Sequence, residues 1–210
     1  MFPLDKLTSR ELYNIHIKTK FTVPTAQCTI QKMLNVDNLP WNNIYNLSRS
    51  ISIDSYSRIF QYKCLNNILY LNCSLFKMGI SDSPLCSFCH NENETFSHLF
   101  FTCRVTYNVW LDLINFFSSK IDIPPLTLQS AVVGFLGEYH ENLFLNNILL
   151  MYKITIYRNR AKNTITARNV LSNLKQRENI EKSIALSNNK FKFHLKKWHI
   201  LHSFYNAGTV

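Results

Sequence analysis

Three thiols and one imidazole stand within eighteen residues of this chain: Cys86, Cys89, His98 and Cys103, in the run CSFCHNENETFSHLFFTC. The spacing is Cys-x2-Cys-x8-His-x4-Cys. Three soft sulfurs and one nitrogen match the tetrahedral preference of zinc and suit magnesium or calcium poorly. Four protein donors fill that shell and leave no position for water, so the pattern predicts one structural zinc and no hydrolytic centre. The paired cysteines can hold an ion in a tight knuckle, and the next eight residues return the chain to His98 and Cys103 at the opening of a helix. On an ideal helix, side chains five positions apart diverge by about 140°. One of these two ligands must therefore sit where the helix is frayed or kinked. His90, next to Cys89, closes a shell less well and is expected at the surface. Glu92 and Glu94 could accept hydrogen bonds behind the ligands, but they read better as solvated turn residues.

No catalytic residue is assigned. His16, His140, His194, His199 and His202 are bases in principle, but none has a nucleophile and an orienting partner at recognisable spacing. Adjacent aspartates, which could clamp paired metal ions for phosphoryl chemistry, are absent from the chain.

The elements that must position the four ligands read as helices. Four Gly and six Pro in 210 residues disfavour a fold of many tight turns. Fifteen Phe and ten Tyr supply ample apolar surface for a core. A helix is expected near Ser9–Lys18 with Ser9 as its cap, and a short one from Trp41 with Ile44, Tyr45 and Leu47 inward. Residues 54–77 read as one amphipathic unit capped by Asp54 or Ser55, with Ile59, Tyr62, Leu65 or Asn66, and Leu69 on one face, Phe60 and Cys64 bordering it, and Gly79 ending it. Cys64 and Cys73 read as buried free thiols. A further helix spans Thr95 to Phe117. Pro124-Pro125 and Gly137 mark a linker zone. Leu143–Arg160 reads as a helix, with a strand as the alternative for Met151–Tyr157. Helices at Val170–Ala185 and Phe191–Tyr205 follow. The expected fold class is mainly α: a helical domain with an embedded Cys/His zinc knuckle and a basic helical C-terminal region. The expected segments are 1–39, 40–122 and 123–210.

The net charge of +10 is unevenly spread. Residues 1–150 hold eleven Lys/Arg and eleven Asp/Glu, whereas 151–200 hold twelve Lys/Arg against Glu178 and Glu181. Such a one-sided excess suits a polyanion-binding face. Lys153, Arg158, Arg160, Lys162, Arg168, Lys192, Lys196 and Lys197 are the candidate phosphate contacts, with Tyr157, Phe191, Phe193 and Trp198 as candidate stacking platforms. The first residues lack a signal-type apolar run, and no stretch of eighteen uncharged apolar residues occurs. A reducing compartment, nucleus or cytoplasm, is therefore expected, where close thiols bind metal instead of pairing as disulfides. Asn-x-Ser/Thr matches at Asn46, Asn72 and Asn93 then carry no information.

These residues also carry a family likeness. Trp41 with Ile44-Tyr45, FQYKCLNNILYLN (60–72), LFKMGISDSPLCSFC (75–89), ETFSHLFFTC (94–103) and Trp110 resemble the zinc-binding region that follows reverse transcriptase in LINE-type retrotransposon proteins, which lack long terminal repeats. LNNILLMYKITIYRNR (145–160) and KFHLKKW (192–198) resemble the region after the knuckle. The resemblance implies zinc ligation by Cys86, Cys89, His98 and Cys103, and the holding of template RNA or target DNA during target-primed reverse transcription. It implies nucleic-acid-facing or packing roles for Lys63, Asn67, Lys153 and Arg158. RNA or DNA is the expected partner, within or beside an upstream reverse transcriptase assembly, with neither a membrane nor a small-molecule substrate. A zinc-stabilised protein-interaction scaffold and an inactive retroelement fragment are the competing readings.

Overall fold

In the computed structural model, residues 8–20, 22–137 and 139–206 are described, with 139–141, 205 and 206 as backbone alone. They are mainly helical and contain no strand; an isolated antiparallel bridge, Leu85 to Asn93, closes the knuckle. The chain divides into two units at Asp37/Asn38.

The first unit holds helix α1 (Ser9–Lys20) and helix α2 (Thr25–Leu34). The cap of α1 is Thr8, one residue before the expected Ser9. Its hydroxyl accepts from the Glu11 amide, while the Glu11 carboxylate accepts from the Thr8 amide at 2.8 Å. Helix α2 stops at Asn35, which adopts a left-handed conformation (φ 53°) that asparagine tolerates.

In the second unit, helix α8 (Tyr139–Asn159) is the axis. Leu143 to Ile156 are buried without interruption, so the helix is enclosed on all sides. This settles Met151–Tyr157 as helix: β-branched Ile154, Thr155 and Ile156 are tolerated because packing outweighs their modest propensity cost. Helices α3 (Trp41–Ile51), α4 (Ser55–Leu65), α9 (Ala167–Ser187) and α10 (Phe191–Asn206) pack against it. Helix α6 (Arg104–Phe117) adds Trp110 against Tyr152 (ring centroids 5.2 Å) and Phe117 against Phe144 (5.6 Å). Side chains from both sides of Asp122 thus share one core, and the Pro124-Pro125 stretch runs through it with Ile123 and Leu126 buried. The expected boundary at 122/123 does not separate two cores. After helix α7 (Leu128–Val133), Gly134 has φ +89°. A Cβ there would lie 2.6 Å from both Asn146 Oδ1 and Leu47 Cδ2, so the close approach to α8 requires glycine.

Residues 54–77 form two helices, α4 and α5 (Asn72–Lys77), not one. Asn67, at φ 53°, turns the chain between them. Asp54 caps α4 by accepting from the Ser57 amide at 2.7 Å. The buried face of α4 is Ser57, Phe60, Gln61, Cys64 and Leu65, whereas Ile59 and Tyr62 are exposed. The apolar period points to the opposite side, because Gln61 and Ser57 are polar yet buried by partners on distant helices: Lys153 for Gln61 and Arg177 for Ser57. Cys64 is buried, which pushes its thiol up to about 11, and Cys73 is half-buried.

Candidate metal centre

The knuckle is built by backbone turns. The Cys86 carbonyl accepts from the His90 amide (3.0 Å), and the Cys86 amide donates to the Glu92 carbonyl (2.7 Å). His90 takes φ 56° to make this turn, is exposed, and does not belong to the four-donor group. Beyond it, His98–Thr102 form a π turn in which the Cys103 amide donates to the His98 carbonyl five residues back at 2.8 Å. That wider turn brings residues five apart round toward one side, which a regular helix would not. Cys103 is then extended (ψ 118°) before α6 starts at Arg104. The irregularity expected between His98 and Cys103 is thus a π turn followed by a break, and the helix expected over 95–117 is two segments.

The ligand atoms of Cys86, Cys89, His98 and Cys103 all lie within 4.8 Å of one another. Cys86 and Cys103 sulfurs are 3.8 Å apart, and Cys89 Sγ is 3.2 Å from His98 Nε2. Two sulfurs bound tetrahedrally at the usual zinc–sulfur length would be about 3.8 Å apart. The donor set fits the ion in type and in spacing, and the cluster is capable of coordinating a single structural zinc. The Cys86 thiol donates to Cys103 Sγ, which favours the thiolate at Cys103 and disfavours it at Cys86. A bound cation would supply the compensation that a second thiolate requires.

The surrounding contacts orient the ligands. His98 Nδ1 lies 3.2 Å from both Thr102 Oγ1 and Glu92 Oε2, which leaves Nε2 to face the sulfurs. Glu92 is largely exposed yet makes this contact. Glu94 is no solvated turn residue: its side chain is fully buried. It accepts from the Ser87 amide (2.9 Å) and hydroxyl (2.7 Å), the Asn72 amide (3.0 Å) and Arg160 Nη1 (2.6 Å). Burial opposes its ionisation, but donation from Ser87, Asn72 and Arg160 outweighs that and holds its carboxyl below the ordinary range. Arg160 starts the short 3₁₀ turn after α8, so a single ion pair fastens the knuckle to the basic region 66 residues further along. Asn163, with its amide oriented to satisfy its neighbours, donates to the Ser87 carbonyl at 3.0 Å. Nothing in local spacing signals the Glu94 role, because its partners come from three separate elements.

The candidate nucleic-acid residues divide by burial. Arg158, Lys162, Arg168, Lys192 and Lys196 are exposed, with Arg158 lying over the Tyr56 ring at 4.3 Å. Lys153 and Lys197 are not surface cations. Lys153 donates to Gln61 Oε1 (3.0 Å) and the Ala131 carbonyl (3.1 Å) inside the core, and burial pulls its pKa down. Lys197 pairs with Glu181 at 2.6 Å, and Arg177 approaches the same carboxylate at 3.3 Å. Trp198 is wholly buried and donates to Glu181 at 2.9 Å, so it is a core ring and offers no platform. Tyr157 is half-buried between Phe60 and Arg160, and Phe191 stacks on His194. Phe193 alone of the four aromatics is exposed. Of the histidines considered as bases, the side chain of His140 lies outside the described residues. No helix among the described residues is long and apolar enough to cross a membrane.

Residues 10–110 match the family model described as zinc-binding in reverse transcriptase. The match contains all four ligands and ends at Trp110, before α7 to α10. No curated protein and no solved structure matches the chain.

Proposed function

We propose that this chain is a non-catalytic, zinc-stabilised nucleic-acid-binding module of the kind that follows reverse transcriptase in LINE-type retrotransposon proteins, holding template RNA or target DNA. The observation that carries the reading is the Arg160–Glu94 pair. It ties the knuckle to the point where the basic segment begins, so exposed Lys162 and Arg168 follow directly from a zinc-supported anchor. Zinc in this arrangement supplies rigidity: four protein donors leave it no water to activate. The exposed cations Arg158, Lys162, Arg168, Lys192 and Lys196 neutralise phosphates, and Phe193 is available to stack on an unpaired base. Lys153, Lys197 and Trp198 support this surface from the core.

The test is a titration of the zinc-loaded chain with structured RNA and with primed DNA across a range of salt, comparing wild type with the Lys162→Gln/Arg168→Gln double variant. The reading expects steep salt dependence that becomes shallower in the variant. A flat salt response, or stoichiometric capture of an acidic protein with only weak nucleic-acid binding, overturns it in favour of a scaffold.

A further inference from the structure

Away from the knuckle, a second group of metal-type donors converges between α9 and α10. Glu178 lies on α9 with its side chain 1% exposed, and its Oε1 sits 3.1 Å from His194 Nε2 and 2.9 Å from His202 Nε2. The donor atoms of the three residues lie within 4.8 Å of one another. His194 and His202 are eight positions apart, about 12 Å along a helix axis. Their rings nevertheless lean together over the buried Trp198 between them, with centroids 5.8 Å apart. Glu178 reaches into the gap from the facing helix.

The spacing suits a cation. Nitrogen and oxygen donors bonded at about 2.0–2.2 Å to one ion stand roughly 2.9–3.5 Å apart at right-angled to tetrahedral geometry, which brackets the two imidazole–carboxylate separations. His202 is 24% exposed, which gives an ion and its remaining water ligands a way in. Lys175 Nζ lies 3.1 Å from Glu178 Oε2 and leaves Oε1 to the imidazoles.

We infer that Glu178, His194 and His202 form a second metal site, a two-imidazole, one-carboxylate set for a first-row divalent ion such as zinc, which clamps α9 to α10. Each imidazole offers Nε2 to the ion once its hydrogen resides on Nδ1. The set is chemically distinct from the knuckle: it has no thiolate, so it discriminates less sharply among zinc, cobalt and nickel.

That difference gives the experiment. The full chain, stripped of metal under reducing conditions, is titrated with cobalt(II). Two equivalents are expected, one with intense thiolate-to-cobalt charge-transfer absorption and one without. Glu178→Gln and His202→Ala should each lose the second equivalent and keep the first, whose thiolate band reports that the knuckle is intact, with unchanged helical circular dichroism reporting that the rest of the chain is folded. His199→Ala, at an exposed histidine on the same helix, should keep both. Zinc beyond one equivalent should raise the thermal midpoint of wild type and leave that of His202→Ala unchanged. Uptake of one equivalent by wild type, or a second equivalent that survives in His202→Ala, overturns the assignment. Neither result touches the nucleic-acid reading, which rests on other residues.

Discussion

The knuckle and the closing helix pair α9–α10 hold themselves together by opposite means. In the knuckle, the ligands come from eighteen consecutive residues, and the bonds that shape it are turns between near neighbours. In α9–α10, the decisive contacts span the chain: Arg177 reaches Ser57 and the Ile51 carbonyl, and Lys197 reaches the Ile51 carbonyl and Glu181. A metal replaces a core where the chain is too short and polar to bury one. In the closing helices, charges are themselves core material, and a lysine's role depends on what lies across from it. Variants of the four knuckle ligands should therefore respond to metal, variants of Arg177, Glu181 and Lys197 to charge pairing, and surface variants to neither.

The largest effect belongs to the ligands. Apparent binding energies of structural zinc sites are about 10–16 kcal/mol at neutral pH, and Cys86→Ser removes a donor with no replacement nearby. Metal analysis should find the knuckle zinc absent, and amide exchange should show that 86–103 loses protection while α8 stays protected. Retained knuckle zinc in Cys86→Ser would exclude it as a ligand.

Next come the buried ion pairs, one in each region. Glu94→Ala strands Arg160 and the amides of Asn72 and Ser87, and Lys197→Met leaves Glu181 without its shortest partner. Removing one member of a buried pair costs about 3–5 kcal/mol, and denaturant unfolding should show a drop of that order in each variant. The Glu94 contribution also depends on pH. Its folded pKa lies below the unfolded one, so its stabilisation is complete above the unfolded value and disappears as pH falls through the folded value. The stability gap between wild type and Glu94→Gln should therefore shrink on acidification through and below about pH 4. A gap that widened in acid would contradict the arrangement.

What the sequence discloses follows the same division. The four ligands are legible because zinc chemistry demands particular residue types at short spacing. The helical class is legible from Gly and Pro scarcity, and the irregularity before Cys103 from simple helical geometry, although not its form as a π turn. Glu94 reads wrongly as a surface residue because its burial depends on Arg160, 66 residues away. The inward side of α4 is misleading because Gln61 and Ser57 are polar and are made core residues by Lys153 and Arg177. Lys153, Lys197 and Trp198 look like surface recognition residues for a related reason: a basic-aromatic helix has the same composition whether its charges meet phosphate or a buried glutamate. Only the two acids on α9 distinguish the cases, and which lysines they meet is settled by packing.

A smaller effect separates the two kinds of lysine directly. Removing one phosphate-neutralising side chain should reduce the slope of log affinity against log salt by about 0.9 on duplex DNA or about 0.7 on single strands. Lys162→Gln/Arg168→Gln should lower the slope by about twice that and leave unfolding stability unchanged. Lys197→Met should do the reverse: lose stability and keep its slope under conditions where it remains folded. If Lys197→Met lowered the slope as the exposed pair does, the burial-based division of the basic residues would fail.

The smallest expected change lies at Thr102, whose hydroxyl is 3.2 Å from His98 Nδ1. Valine keeps the shape of the side chain and removes only this hydrogen bond, while Glu92 stays on the same ring nitrogen. Partners of this kind fix the tautomer and angle of a ligating imidazole, and deleting one weakens metal binding by about 10–100-fold. With Glu92 still in place, Thr102→Val belongs near the lower end of that range. Thr102→Val/Glu92→Gln should lose more affinity than the sum of the single changes, because each partner can hold the ring without the other. Competition with a chelator of known zinc affinity measures all three variants. Additive effects would mean that the two partners act on His98 independently, and unchanged affinity in the double variant would mean that the π turn alone positions the ring.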